Sequence, residues 1–239
     1  MCAYLAPYLL LATITLLTVD LDDTLWPCAP VIDAAESALY GWLQSVATRL
    51  TDAHDMASLR EHRRSLVRAR RGIAHDLTEV RRQSLEILLS EFGYPAMLAD
   101  EGLRLFLDHR NRVEPYEDVR PVLAELSGRF RLVSITNGNA EVQRTPLRGV
   151  FHLSLCAAGV GAARPDPRLF LEALKRTGTA APAALHVGDD PRLDVQAAAS
   201  LGMRTAWVNR SGREWPEELP RPDVELSDLW QLPEWLGGR

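Results

Sequence analysis

An α/β fold, a doubly wound parallel sheet with a helical cap domain inserted after the first strand, is predicted by three observations in the 239-residue chain. Short apolar runs alternate with helical patterns over the second half, as parallel strands joined by crossover helices require. Between about Pro30 and Val113 that alternation gives way to helical periodicity alone. The length also suits a core of ordinary size carrying a substantial insertion.

The first strand is expected over Ile14 to Asp20, an apolar run that ends in acid and opens into a loop at Asp23, Thr24 and Pro27. Four similar runs follow: Phe130 to Thr136, Phe151 to Cys156, Ala184 to Val187, and Arg204 to Val208. Five strands are therefore expected. Helical patterns lie between them at Val119 to Leu126, Ala140 to Leu147, Pro167 to Thr177 and Arg192 to Leu201. Ligands of such sheets bind beyond the carboxyl ends of the strands, where the strand order reverses.

The insertion reads as four helical stretches: Val31 to Leu50, Met56 to Arg71, Leu77 to Phe92 and Ala96 to Arg112. It divides the chain into a catalytic core of residues 1–28 and 114–239 and a cap of residues 29–113 that stands over the mouth of the site. The tail from Arg213 to Arg239, rich in Pro, Glu and Trp, is expected to pack across the core and end in a short helix.

A composition of 46% hydrophobic and 25% charged residues is that of a folded globular protein. The net charge of -5 argues against nucleic acid as a partner, because phosphate-backbone binders carry a basic excess. Cys2, Cys28 and Cys156 are scattered and odd in number, so neither a disulfide framework nor a zinc cluster is expected, and a reducing cytoplasm is. Met1 to Val19 is apolar, yet it has no basic n-region, contains Pro7 and runs straight into the acidic motif. It reads as a short tail leading into a buried strand, with no membrane partner expected. No interface for self-association is legible.

The chemistry is concentrated in Val19-Asp20-Leu21-Asp22-Asp23-Thr24-Leu25. Asp20 and Asp22 stand one residue apart at a strand end, where a turn can bring both carboxylates to one pocket. One carboxylate can attack phosphorus, while the other protonates the leaving oxygen and then activates water. Two carboxylates repel a dianionic phosphate, so a hard cation such as Mg2+ is required, with Asp189 placed to supply a further oxygen ligand. Three more segments occur in order: Ile135-Thr136-Asn137-Gly138, Arg164-Pro165-Asp166-Pro167, and Gly188-Asp189-Asp190 followed by Asp194.

These four segments resemble the four motifs of the haloacid dehalogenase superfamily, and the resemblance spans nearly the whole chain. It implies Asp20 as the nucleophile, Asp22 as general acid/base and metal ligand through its backbone carbonyl, and Asp189 as the side-chain ligand of Mg2+. It also implies that Thr136 and the backbone of Asn137 and Gly138 hold phosphate oxygens, which a hydroxyl and N–H groups can do without added charge. Family members usually place a lysine before Pro-Asp-Pro. This chain has Arg164 there, and Lys175 is the one lysine among its 27 basic residues. Arginine keeps the charge but presents a planar fork, and Arg164 is expected to take the lysine's role. Leu16 to Trp26, Ile135 to Ala140, Leu185 to Asp190 and His75-Asp76-Leu77-Thr78 resemble the subgroup that includes 5-amino-6-(5-phospho-D-ribitylamino)uracil phosphatase of flavin biosynthesis. The substrate implied is a small phosphorylated metabolite.

Asp190 and Asp194 can each orient the basic group and the metal waters, or cap a helix. Asp23 is expected to form a turn, Asp76 to cap a helix with Glu79 three residues on, His186 to be a satisfied core residue and Cys28 to pack in a loop. Six arginines lie between Arg60 and Arg71, and Arg60, Arg64, Arg68 and Arg71 fall on one helical face, which reads as a solvated face or as a surface that attracts anions. Two other functions stay open. A dehalogenase uses an aspartate nucleophile but needs neither a second acid nor a metal, and Asp22 argues against it. A weakly active sensor of a phosphorylated ligand is left open by Arg164.

Overall fold

The protein is described by a computed structural model over residues 13–237. Residues 1–12, which carry most of the apolar tail, and residues 238–239 lie outside the described residues. Among the described residues no helix is long and apolar enough to cross a membrane.

The first strand, β1 (Leu16–Val19), leads into the helical insertion: α1 (Cys28–Val46), α2 (Thr48–Ala53), α3 (Met56–Ala69), α4 (Leu77–Glu91) and α5 (Leu98–Arg110). The chain then returns through α6 (Val119–Ser127), β2 (Arg131–Thr136), β3 (Leu153–Cys156), α7 (Ala157–Val160), α8 (Arg168–Thr177) and β4 (Ala184–Gly188). It ends with α9 (Ala197–Ala199), β5 (Arg204–Val208), β6 (Val224–Leu226) and α10 (Leu232–Gly237).

All strand pairs are parallel, in the order β3-β2-β1-β4-β5-β6. The order reverses at β1, which pairs Val19 with Ser134 of β2 on one side and with Val187 of β4 on the other. Both faces of β1 are buried, as its unbroken apolar run requires. Leu17 and Val19 pack with α6 and α10, whereas Leu16 packs with α8 and α9. The insertion has a core of its own around Leu39, Leu43, Leu85, Leu88 and Phe106.

Several elements differ from expectation for identifiable reasons. A sixth strand, β6, has only three residues and follows Pro220 and Pro222, too short a run to stand out in the sequence. The stretch at Ala140 to Leu147 is a loop with one 3-10 turn, Val142–Arg144: Glu141 is extended (φ -96°, ψ 98°), and so is Thr145 (φ -108°, ψ 170°), which precedes Pro146 and is kept out of the helical region by it. The expected helix over Arg192 to Leu201 opens as a π-helical turn, Pro191–Gln196, in which both Asp194 N and Val195 N donate to Asp190 O at 3.0 and 3.3 Å. The first helix of the insertion breaks at Ala47, whose φ of -142° separates α1 from α2.

Of the face expected at Arg60, Arg64, Arg68 and Arg71, the last three are exposed and Arg60 is turned towards α1. Arg64 and Arg68 pair with Glu61 at the surface, whereas Arg60 and Arg63, with Arg81 of α4, converge on the buried Glu36 of α1. Asp76 caps α4 by accepting from Glu79 N at 2.9 Å. Two crossings join insertion and core, and they are tied where Tyr116 N donates to Leu25 O at 3.0 Å.

Candidate active site

β1 delivers Asp20 to the carboxyl edge of the sheet, and its N–H continues the ladder by donating to Val187 O at 2.9 Å. The chain then doubles back on itself. Asp23 adopts a left-handed φ of 61° and its carboxylate accepts from Cys28 N at 2.9 Å, so this acid is spent on the turn. The turn buries Thr24, whose hydroxyl lies 3.2 Å from Asp189 Oδ1 and 3.5 Å from Asp20 Oδ2.

Thr136 ends β2, and its hydroxyl oxygen accepts from Gly138 N at 2.8 Å. The side chain of Asn137 is used within the protein: its Oδ1 accepts from Arg164 N at 2.7 Å and its Nδ2 donates to Arg164 O at 3.0 Å. Arg164 is thereby fixed at the backbone, and its guanidinium bridges Asp20 Oδ1 and Asp194 Oδ1. Asp194 also accepts from Asp190 N at 2.9 Å and from His186 Nε2 at 3.1 Å. His186 completes its bonding at Thr18 and stacks edge-on against Phe170, as a satisfied core histidine does. Asp190 turns away from the site and caps the π-helical turn, accepting from Arg192 N and Leu193 N at 2.8 Å each. Of the two capping candidates, Asp190 caps and Asp194 serves the basic group.

Three carboxylates, those of Asp20, Asp189 and Asp194, place oxygens within 4.8 Å of one another. Their charges are shared unequally. Burial pushes the Asp20 carboxyl well above its ordinary value, with Arg164 opposing and the neighbouring acids adding to the rise. Asp189 is likewise pushed up to about 7 by burial and by Asp194 and Asp23. Burial would raise Asp194 too, but Arg164 and His186 outweigh it and hold this carboxyl below the usual range. Arg164 is lowered by burial and raised by Asp194 and Asp20, and the acids win. Arg164, buried between Asp20 and Asp194, and the half-exposed Arg213, 3.3 Å from Asp189 Oδ2, face three acids whose all-oxygen donor set fits a hard divalent cation.

Asp22 stands apart from this trio. Its Oδ1 accepts from Trp26 Nε1 at 2.9 Å, and both its oxygens accept from Arg110 Nη2, at 2.7 and 2.6 Å. Two glycines make room for these arrangements. A Cβ on Gly138 would lie 2.6 Å from Asp22 Oδ2, and one on Gly188 would lie 2.3 Å from Asp194 Cγ.

Arg110, Trp26 and Arg213 were given no role by the motifs. Arg110 ends α5 and is 1% exposed, and Arg213 Nη2 donates to Asp189 O at 2.8 Å. The signal for Arg110 was its place on the buried stripe Ala99, Leu103, Phe106, Arg110, where a cation requires a partner.

This chain is an enzyme of the haloacid dehalogenase-like hydrolase family, whose family model matches residues 14–202. It is 31% identical over 232 residues to 5-amino-6-(5-phospho-D-ribitylamino)uracil phosphatase YigB of Escherichia coli (strain K12), covering 93% of this chain and 96% of that protein. It is 38% identical over 151 residues to a phosphoserine phosphatase of Thermus thermophilus, covering 60% of each. Among solved structures, 2-haloacid dehalogenase from Pseudomonas syringae pv. Tomato DC3000 superposes with a TM-score of 0.89 at 41% identity, covering 94% of this chain and 99% of that one.

Proposed function

We propose that this protein is a Mg2+-dependent phosphatase that hydrolyses a small phosphorylated metabolite through an aspartyl-phosphate on Asp20. The observation that carries the reading is the second acid: Asp22 faces the loop after β2, its Oδ2 2.6 Å from where a Cβ on Gly138 would lie. A phosphate ester needs a proton on its leaving oxygen, whereas a halide does not, so Asp22 favours phosphate over the dehalogenase reading. The phosphatases among the relatives point the same way.

Asp20 and Asp189, with the backbone carbonyl of Asp22, would hold Mg2+, which when bound neutralises the carboxylates and the phosphate. A carboxylate oxygen of Asp20 attacks phosphorus while the P–O bond to the leaving group breaks, and Asp22 gives that oxygen its proton. Water then attacks the phosphorus of the intermediate and Asp22 takes a proton from it, so inorganic phosphate leaves and Asp20 is restored. Thr136 and the backbone of Asn137 and Gly138 bind phosphate oxygens. Arg164 balances charge between Asp20 and Asp194, with Asp194 holding the guanidinium in place. Asp190 supports this end of the site through the turn that carries Asp194.

Residues 29–113 act as a cap over a core of residues 1–28 and 114–239, and the cap contributes substrate selection. The likeness to YigB makes a flavin-pathway phosphate ester the first substrate to try. The scattered cysteines favour a reducing cytoplasm.

A p-nitrophenyl phosphate assay with Mg2+ tests the reading. Wild type is expected to turn over, Asp20→Asn to lose activity, and Arg164→Lys to retain it; turnover surviving in Asp20→Asn would sink the mechanism. The Pseudomonas syringae relative favours a second reading, dehalogenation. Halide release from 2-chloropropionate without phosphate-ester hydrolysis would establish it. Absence of both activities, with rescue by Arg164→Lys, would favour a phospho-ligand sensor.

A further inference from the structure

Asp22 belongs to the core, yet its strongest partner comes from the insertion. Arg110, 88 residues away and in the last turn of α5, gives one nitrogen to both oxygens of that carboxylate. Its other two nitrogens, Nε and Nη1, are buried and without a partner among the described residues. Burying a guanidinium with unmet donors is strongly unfavourable, so the side chain is held there by the carboxylate it faces. The same nitrogen would lie 3.2 Å from a Cβ on Gly138, as would Thr136 Oγ1. The contact therefore sets Asp22 directly against the loop that follows β2.

The backbone behind Arg110 is anchored on the core side. Asn111, the next residue, accepts from Glu141 N at 2.7 Å through its side chain, and Asp108 pairs with Arg144. One turn earlier, Phe106 is covered by the Arg81 guanidinium at 3.5 Å. The end of α5 is thus fixed from both directions, and a carboxylate held from such a support has little freedom to rotate. Trp26 supplies the second restraint, from the chain's own turn.

We propose that Arg110 is a positioning residue through which the helical insertion sets the Asp22 carboxylate at the phosphate-binding loop for proton transfer to the leaving group. The proposal rests on the phosphatase reading and adds to it a residue outside the four motif segments. Both hydrogen bonds of the Arg110 guanidinium go to Asp22, so on this proposal its effect passes through Asp22 and depends on how much the leaving group needs a proton.

The test compares kcat/KM, which ends at departure of the leaving group, for an alkyl phosphate and for p-nitrophenyl phosphate, with Mg2+ present. Arg110→Met is expected to lower the alkyl value on the order of 10- to 100-fold, part of what a general acid contributes, and the aryl value far less. Arg110→Lys should recover part of the alkyl loss. In an Asp22→Ala background Arg110→Met should change neither value further. Equal losses on both esters, or an undiminished loss in the Asp22→Ala background, would overturn the proposal and leave the phosphatase reading intact. Wild type that hydrolyses neither ester removes the phosphatase reading and the proposal with it. If the methionine variant melts below the assay temperature, the lysine variant decides by the same alkyl-to-aryl comparison.

Discussion

Asp194 illustrates how one side chain governs its neighbours, because it holds Arg164, His186 and the Asp190 N–H together inside the sheet edge. Removing the guanidinium from this pair leaves two buried carboxylates facing each other. Arg164→Met is therefore expected to destabilise the Mg2+-free protein by about 3–5 kcal/mol in chemical denaturation, whereas Arg164→Lys should lose far less. Asp189 carries a second prediction. Its carboxyl sits at about 7 in the folded chain against an ordinary 3.8, so between those values the unfolded state has lost a proton the native state keeps. This group's contribution to stability thus falls as pH rises from about 4 to about 7. A cation that needs the ionised form should raise the melting temperature more at about pH 8 than at about pH 5.5, and a Mg2+ shift independent of pH would contradict the assignment of Asp189 as ligand. The places of Asp20, Thr136 and Asp189 at the carboxyl ends of their strands were legible because each closes an apolar run in the local order of the chain. The Arg110 contact was not, because it depends on where a helix 88 residues later comes to rest.

At the level of the element, close approach is what shapes the site. The end of β4 can carry Asp194 against its backbone only because Gly188 has no side chain, so Gly188→Ala forces a contact of 2.3 Å apart or displaces the acid. A loss of about 1–3 kcal/mol in thermal or chemical unfolding is expected, along with reduced turnover. Asp76→Ala removes the cap of α4 and should cost about 1 kcal/mol without touching the site. The four central strands were readable because their runs are apolar on both faces, and Asp76 because a capping acid precedes a helical period. The stretch at 140–147 misled for the opposite reason: its apolar spacing is helical, yet Pro146 holds Thr145 extended and leaves room for only one 3-10 turn. Likewise, one widened turn at Pro191–Gln196 cannot be told from an α-helix by periodicity, although it is what aims Asp194 inward.

For the whole molecule, the insertion and the sheet keep separate apolar clusters. Leu88→Ala, in the insertion's cluster, is expected to cost about 2–5 kcal/mol locally. Hydrogen exchange should then speed up in α1, α4 and α5 while β1, β2 and β4 stay protected; uniform loss of protection would mean that the two clusters unfold together. The doubly wound order and the placement of the insertion after β1 could be read from the sequence, since alternation and its interruption are long-range patterns that local exceptions do not disturb. The central position of β1 has a further consequence, for biosynthesis. β1 is made early, but its two neighbours begin only at Arg131 and Ala184. A growing chain therefore carries a bare apolar strand until β2 arrives, and the Asp20, Arg164 and Asp194 contacts cannot close until residue 194 has been made. Those contacts are missing for most of synthesis, and one edge of β1 stays unpaired until β4 has been made, an edge of the kind that invites aggregation.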